Sequence, residues 1–247
     1  MANLVTKTET LDDAGVWTLT SATVTANSQA APAFAGANAG LADTVADNSA
    51  AAQGSIVGTY YNISADTNNY IGSVFVRKDA VATRWPDFFL QFVGGPVGFV
   101  NLNTSTGAIA DGSTPAAEKG IVDWDATWWR LWLRVANNGS STQVRVGLYP
   151  DHLDALGGAG QSAGTGSVVL WGFNITQAST LQPYVPDPFY AFPSLAAGDV
   201  TTQLRAYINT NAAGADVNPK LRAALATSLG VSAAGDLSTL LAKYIGR

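Results

Sequence analysis

The chain has 247 residues, of which 47% are hydrophobic and 13% charged; it has seven tryptophans, no cysteine and a net charge of −5. That apolar content excludes a disordered chain, and the lack of cysteine excludes disulfides, zinc–thiolate sites and a cysteine nucleophile. No Lys/Arg run marks a nucleic-acid groove, and no apolar run reaches the 18 residues or so of a membrane span. The N-terminus lacks a charged segment followed by an apolar one, so synthesis in a cytoplasm without a signal peptide is expected.

Short runs of Val, Phe, Trp and Thr with period-two alternation supply about ten strand candidates before residue 186. A strand is expected at Val16–Val24, then a clear one at Tyr70–Lys78. Asp87–Val93 and Gly98–Leu102 follow, separated by the turn signal Gly94-Gly-Pro96. Asn103-Thr-Ser-Thr-Gly107 reads as a turn. Three long segments close the region: Trp128-Trp-Arg-Leu-Trp-Leu-Arg-Val135, Thr142-Gln-Val-Arg-Val-Gly-Leu-Tyr149, and Ser167-Val-Val-Leu-Trp-Gly-Phe-Asn-Ile-Thr-Gln, running on to Tyr184-Val-Pro186. Strands at this spacing without helical periods between them predict an antiparallel sandwich.

Val185–Pro193 holds three prolines in nine residues, which suits neither a helix nor a central strand. Beyond it the pattern turns helical. Asp199 and Asp236 are N-cap candidates, and Asn218-Pro219 pairs an N-cap with proline at the first helical position. Leu221, Leu225, Leu240 and Leu241 fall on apolar helix faces that need cover from another helix, the sandwich or another subunit. The expected division is a sandwich over 1–186, a Pro-rich linker over 187–198 and a small α-helical attachment and oligomerisation region over 199–247.

Candidates for chemistry are sparse. His152, between Asp151 and Asp154, is the one histidine; it is read as a solvated loop residue, since no nucleophile elbow accompanies it. Asp123 and Asp125 have the i, i+2 spacing of a carboxylate pair on a strand, with Asp111 and Glu118 upstream. They sit where turn residues are expected before the Trp-rich strand. Neither Gly94-Gly-Pro96 nor Gly157-Gly-Ala-Gly160 is followed by the helix or lysine of a phosphate cradle. No catalytic residue, cofactor or metal site is expected.

A binding face is more legible. Period two places Trp129, Leu131, Leu133 and Val135 toward a core, and Trp128, Arg130, Trp132 and Arg134 away from it. Arg145 and Tyr149 face outward from the next segment, and Phe75 and Arg77 lie opposite Val74 and Val76. Trp132, Arg134, Arg145, Phe75 and Arg77 are therefore the candidate ligand- or partner-binding residues, because rings stack and guanidinium groups hydrogen-bond. The alternative for Trp128 and Trp132 is cover by a loop or by the C-terminal helices.

In order, the last three segments resemble the closing strands of the lectin-like β-sandwich of many bacteriophage structural proteins. There a "GWYR" strand precedes one ending "VGLY", then "LWGAQLE" and "YIPT". Tyr70–Lys78 is similar to that family's "YTFSVYVKA", and Asn103–Gly107 to its "DLSTG". The position of Trp132 is usually small and polar in that family, so the chain departs from it there. The resemblance implies a jelly-roll sandwich on the virion surface of a bacteriophage, in a non-enzymatic structural protein. A capsid decoration or head-fibre protein fits best, with a tail-fibre or baseplate receptor-binding protein recognising a host glycan as the alternative. A glycan hydrolase is the third reading. The partners implied are major capsid or tail proteins, further copies in a homo-trimer, and a host cell-surface glycan, with neither nucleic acid nor membrane.

Overall fold

A computed structural model describes residues 3–5, 8, 10–32, 41–50, 52–80, 85–153 and 165–184, and of residues 151–153 the backbone. The linker 187–198, the helices expected over 199–247 and Leu221, Leu225, Leu240 and Leu241 lie outside the described residues, as does the Gly157–Gly160 loop.

The described residues form thirteen strands and no helix. One sheet has the order β1 (Trp17–Thr20), β4 (Ser55–Gly58), β12 (Gln143–Leu153), β7 (Trp85–Phe92), β8 (Val97–Leu102) and β9 (Ile109–Asp111), with β5 (Tyr61–Asn62) also on β12. The other runs β10 (Glu118–Asp123), β11 (Trp128–Ala136), β6 (Asn69–Arg77), β13 (Ser167–Gln177), β3 (Leu41–Asp47) and β2 (Ala22–Ala30). Every pairing between these strands is antiparallel. The chain passes repeatedly from one sheet to the other, as from β6 to β7 and from β11 to β12. The result is a β-sandwich.

The core follows the period-two reading. Val74, Val76, Leu131, Leu133 and Leu170 from one sheet meet Ile56, Phe88, Leu90, Val146 and Leu148 from the other, and all are fully buried. Burying each such side chain contributes roughly 1.5–3 kcal/mol before entropy is counted.

Two features of the chain path differ from the sequence expectation. Val16–Val24 is not one strand: Ser21 adopts φ 47°, so Trp17–Thr20 pairs in the first sheet and Ala22–Ala30 in the second. A non-glycine residue in the left-handed region breaks a strand without any proline or glycine to announce it. His152 lies on β12 rather than in a loop, within the irregular stretch between Tyr149 and Leu153. The Asn103–Gly107 turn is as expected: the Asn103 carboxamide oxygen accepts the Ser105 and Thr106 N–H groups, and Gly107 takes φ 74°.

Candidate functional site

β11 and β6 are central neighbours in the second sheet, and their register defines the outer face. Trp128 pairs with Arg77, Arg130 with Phe75, Trp132 with Ser73 and Arg134 with Ile71. On the other side of β11, Val122, Gly120 and Glu118 of β10 oppose Arg130, Trp132 and Arg134. Directly paired residues point to the same face, so this grid is the candidate site.

Half of the grid is covered. Phe75, Trp128, Trp171 and Tyr184 form a second buried cluster outside the sheet, separate from the core between the sheets. Phe75 sits 5.1 Å from Trp124, 5.6 Å from Trp171 and 5.1 Å from Tyr184, centroid to centroid. Phase alone made Phe75 a candidate contact ring. That expectation is corrected: the ring is fully buried and is offered to no ligand at the surface. Among the described residues the cover is loop: Trp124 of the turn before β11 and, beyond it, the residues that follow β13, which bring Tyr184 back over the strand they left. Trp128 is buried by the same cluster.

The bulge in β13 makes this possible. Gly172 and Phe173 together oppose Val74, and Gly172 takes φ 65°. Trp171 thereby stays on the outer face beside Phe75, while Phe173 returns to the core. The Tyr184 hydroxyl shares a hydrogen bond with the Thr8 hydroxyl, 3.1 Å apart. Thr8 belongs to an N-terminal segment bound along β13, where the Gly172 N–H donates to the Thr8 carbonyl.

In the other half Ser73 and Ile71 are buried, while Trp132 and Arg134 stay partly exposed. Trp132 is half-buried. Its indole lies on Gly120: a Cβ there would stand 2.6 Å from Cε2, Cζ2 and Nε1. Glycine leaves room for the ring to lie against the sheet, and part of the indole stays exposed. Arg134 pairs with Glu118 at 2.8 Å and donates to the Ser179 carbonyl at 2.9 Å. Arg130 is buried; its Nε and Nη2 donate to the Ser73 hydroxyl at 3.3 and 3.1 Å. Burial lowers its pKa to about 10, which leaves it charged at neutral pH. Arg77 donates to the Gln29 carboxamide at 2.7 Å. The structure therefore brings Trp132, Arg134 and Arg77 onto one face of the sheet, with Arg130 beneath.

Arg145 is not among them. It lies on β12, in the opposite sheet, with Val144 and Val146 in the core on either side. It donates to Gln91 at 2.8 Å and stands 4.4 Å from the Tyr60 ring centroid. Alternation shows which residues face outward but not which sheet carries them, so grouping Arg145 with Trp132 and Arg134 is corrected.

The acidic candidates are engaged in a turn and in ion pairs. One Asp125 carboxylate oxygen accepts the N–H groups of Thr127 and Trp128 at 2.7 and 2.9 Å, closing the turn into β11. Asp123 is exposed and pairs with Lys78 at 2.5 Å, and Asp111 pairs with Lys119 at 2.5 Å. A different carboxyl is perturbed: Asp87, fully buried in the first sheet opposite Tyr149 and Asn101, is pushed by burial up to about 7. Its sequence context, Trp-Pro-Asp-Phe-Phe, carries no sign of this. Among the described residues no group of acidic or histidine side chains is set to hold a metal.

No protein-family model matches the sequence, and no curated protein does. Among solved structures the chain is similar to the enzymatically active domain of bacteriophage CBA120 tailspike protein 4, at 13% identity and TM-score 0.37, over 70% of this chain and 21% of that one. It is also similar to the CBM22-1–GH10 modules of Clostridium thermocellum endo-1,4-β-D-xylanase 10B, complexed with xylohexaose, at 13% identity and TM-score 0.39, over 84% of this chain and 36% of that one. The agarase AgWH50C aligns at 8% identity and TM-score 0.34, over 88% and 33%. The chain thus spans about a fifth to a third of the length of these structures. At such identities the likeness concerns fold alone, and at such scores it decides nothing about ligand or activity.

Proposed function

We propose that the chain is a non-enzymatic bacteriophage virion protein, a capsid decoration or head-fibre component, whose sandwich presents the Trp132 face to a glycan. One observation carries the binding part: the Trp132 indole lies against Gly120 and is flanked by arginines at both i ± 2 positions. A flat ring beside fixed hydrogen-bond donors is the arrangement that stacks on a sugar and orients its hydroxyls. The virion setting rests on the sequence resemblance of the closing strands. The non-enzymatic character is supported by the engagement of Asp123 and Asp125 in an ion pair and a turn. The helical region with Leu221, Leu225, Leu240 and Leu241 then serves attachment and trimer formation, and the particle partners are major capsid or tail proteins.

A tail-fibre or baseplate receptor-binding protein would use the same Trp132 face, so location separates the two. Antibody against this chain, imaged on negatively stained virions, labels the head in the first case and the tail tip in the second. Absence from the particle overturns both. Light scattering of the full chain, expected to give a trimer, tests the assembly; a monomer at micromolar concentration overturns it.

A further inference from the structure

The outer face of β6 and β11 is cationic on a chain whose net charge is −5. Arg77, Arg130 and Arg134 share it, and among the described residues the carboxylate ion-paired with any of them is Glu118, on Arg134. Arg130 is 4% exposed, and its Nε and Nη2 donate to the Ser73 hydroxyl. Its guanidinium otherwise lies 5.6 Å from the Phe75 centroid and 5.8 Å from that of Tyr184. A buried guanidinium among rings keeps a positive field that water screens poorly. That field bears on Trp132, two residues along the same strand and directly opposite Ser73.

Resting on the assignment of the Trp132 face to a glycan, we propose that the glycan is acidic: a sugar stacked on the Trp132 indole, its carboxylate held by the Arg134 guanidinium in place of Glu118. The Arg134–Glu118 contact at 2.8 Å already shows that this guanidinium accepts a carboxylate from the side of β10. Glu118 is exposed, and a solvent-exposed ion pair is weak enough for a ligand carboxylate to replace it. The planar guanidinium fork suits a carboxylate better than an isolated hydroxyl. Arg130 adds charge without having to move.

The test is calorimetric titration of the full chain with an oligogalacturonide and with its methyl-esterified, neutral form, at low and high salt. The acidic form is expected to bind at least about tenfold more tightly, with the advantage shrinking as salt rises. Arg134→Gln should bring the acidic form down to the neutral one, and Trp132→Ala should remove binding of both, each variant melting close to the parent. Equal affinity for the two forms, both lost in Trp132→Ala, overturns the acidic class and leaves the Trp132 face as a glycan site. Binding that survives Trp132→Ala, that polyglutamate matches, or that is absent for both forms overturns the site as well.

Discussion

The Tyr184 ring lies over Gly172. A Cβ at Gly172 would stand 2.8 Å from both Cζ and Oη of the tyrosine, and Gly172 also holds φ 65°. Two parts of the closing sequence, Trp171-Gly172 and Tyr184, are therefore one packing unit. The glycine shapes the bulge and leaves the space, Trp171 and Phe75 supply the walls, and Tyr184 fills the space from twelve residues downstream.

Gly172→Ala is expected to destabilise the fold by about 2 kcal/mol or more, because strain at positive φ and the displaced tyrosine add. Tyr184→Ala should cost about 3–5 kcal/mol, as truncation of a buried ring does, and Tyr184→Phe about 1 kcal/mol for the bond shared with Thr8. Urea melts measure all three. Gly172→Ala as stable as the parent would show that the ring does not occupy that space.

Trp132 and Trp128 face the same way and should behave differently. Trp128→Ala, in the buried cluster, should lose about 3–5 kcal/mol. Trp132→Ala, with a half-buried ring, should lose distinctly less than Trp128→Ala and still weaken glycan or particle binding by at least about thirtyfold, that is by about 2 kcal/mol or more. Paired melting curves and a binding assay on the two variants decide. A melting loss at Trp132 as large as at Trp128, with unchanged binding per folded molecule, removes Trp132 from the site.

Asp87 makes stability depend on pH. Its carboxyl titrates near 7 when folded, against 3.8 when unfolded, so the native state binds its proton more tightly. Its stabilisation is complete below about pH 4 and is lost as pH rises through 7. The full swing is on the order of 4 kcal/mol. Asp43, also raised by burial, acts in the same direction. Asp87→Asn should flatten most of the fall between pH 4 and 8 in a denaturant series. A parent protein that gains stability over that range, with the Asn variant parallel to it, contradicts the assignment.

Hydrolysis is expected to be absent. Purified protein incubated with capsule, lipopolysaccharide or peptidoglycan should release no new reducing ends. Asp125→Ala should cost about 1 kcal/mol through the lost turn bonds to Thr127 and Trp128, while Asp123→Asn should be nearly neutral, being an exposed ion pair. Release of reducing ends that either Asp123→Asn or Asp125→Asn abolishes would restore an enzymatic reading.

Period-two alternation was enough to separate Leu131 and Leu133 from Arg130 and Trp132, because a strand has only two faces and water tolerates few large apolar side chains on one of them. The Asn103–Gly107 turn was legible for a similar reason: its conformation is set by side chains within the turn. Sheet membership was not legible. Arg145 follows β11 closely in the chain yet faces the opposite side of the sandwich, since a crossover between sheets leaves no mark on alternation. Nor was cover: Trp171 and Tyr184, which help to bury Phe75 and Trp128, lie far along the chain, and the bulge that aims Trp171 at them depends on one glycine whose role appears only when Tyr184 is placed above it. Local alternation determined which side chains avoid water between the sheets. Long-range packing decided which of the remaining rings, Trp132 rather than Phe75, still meets solvent.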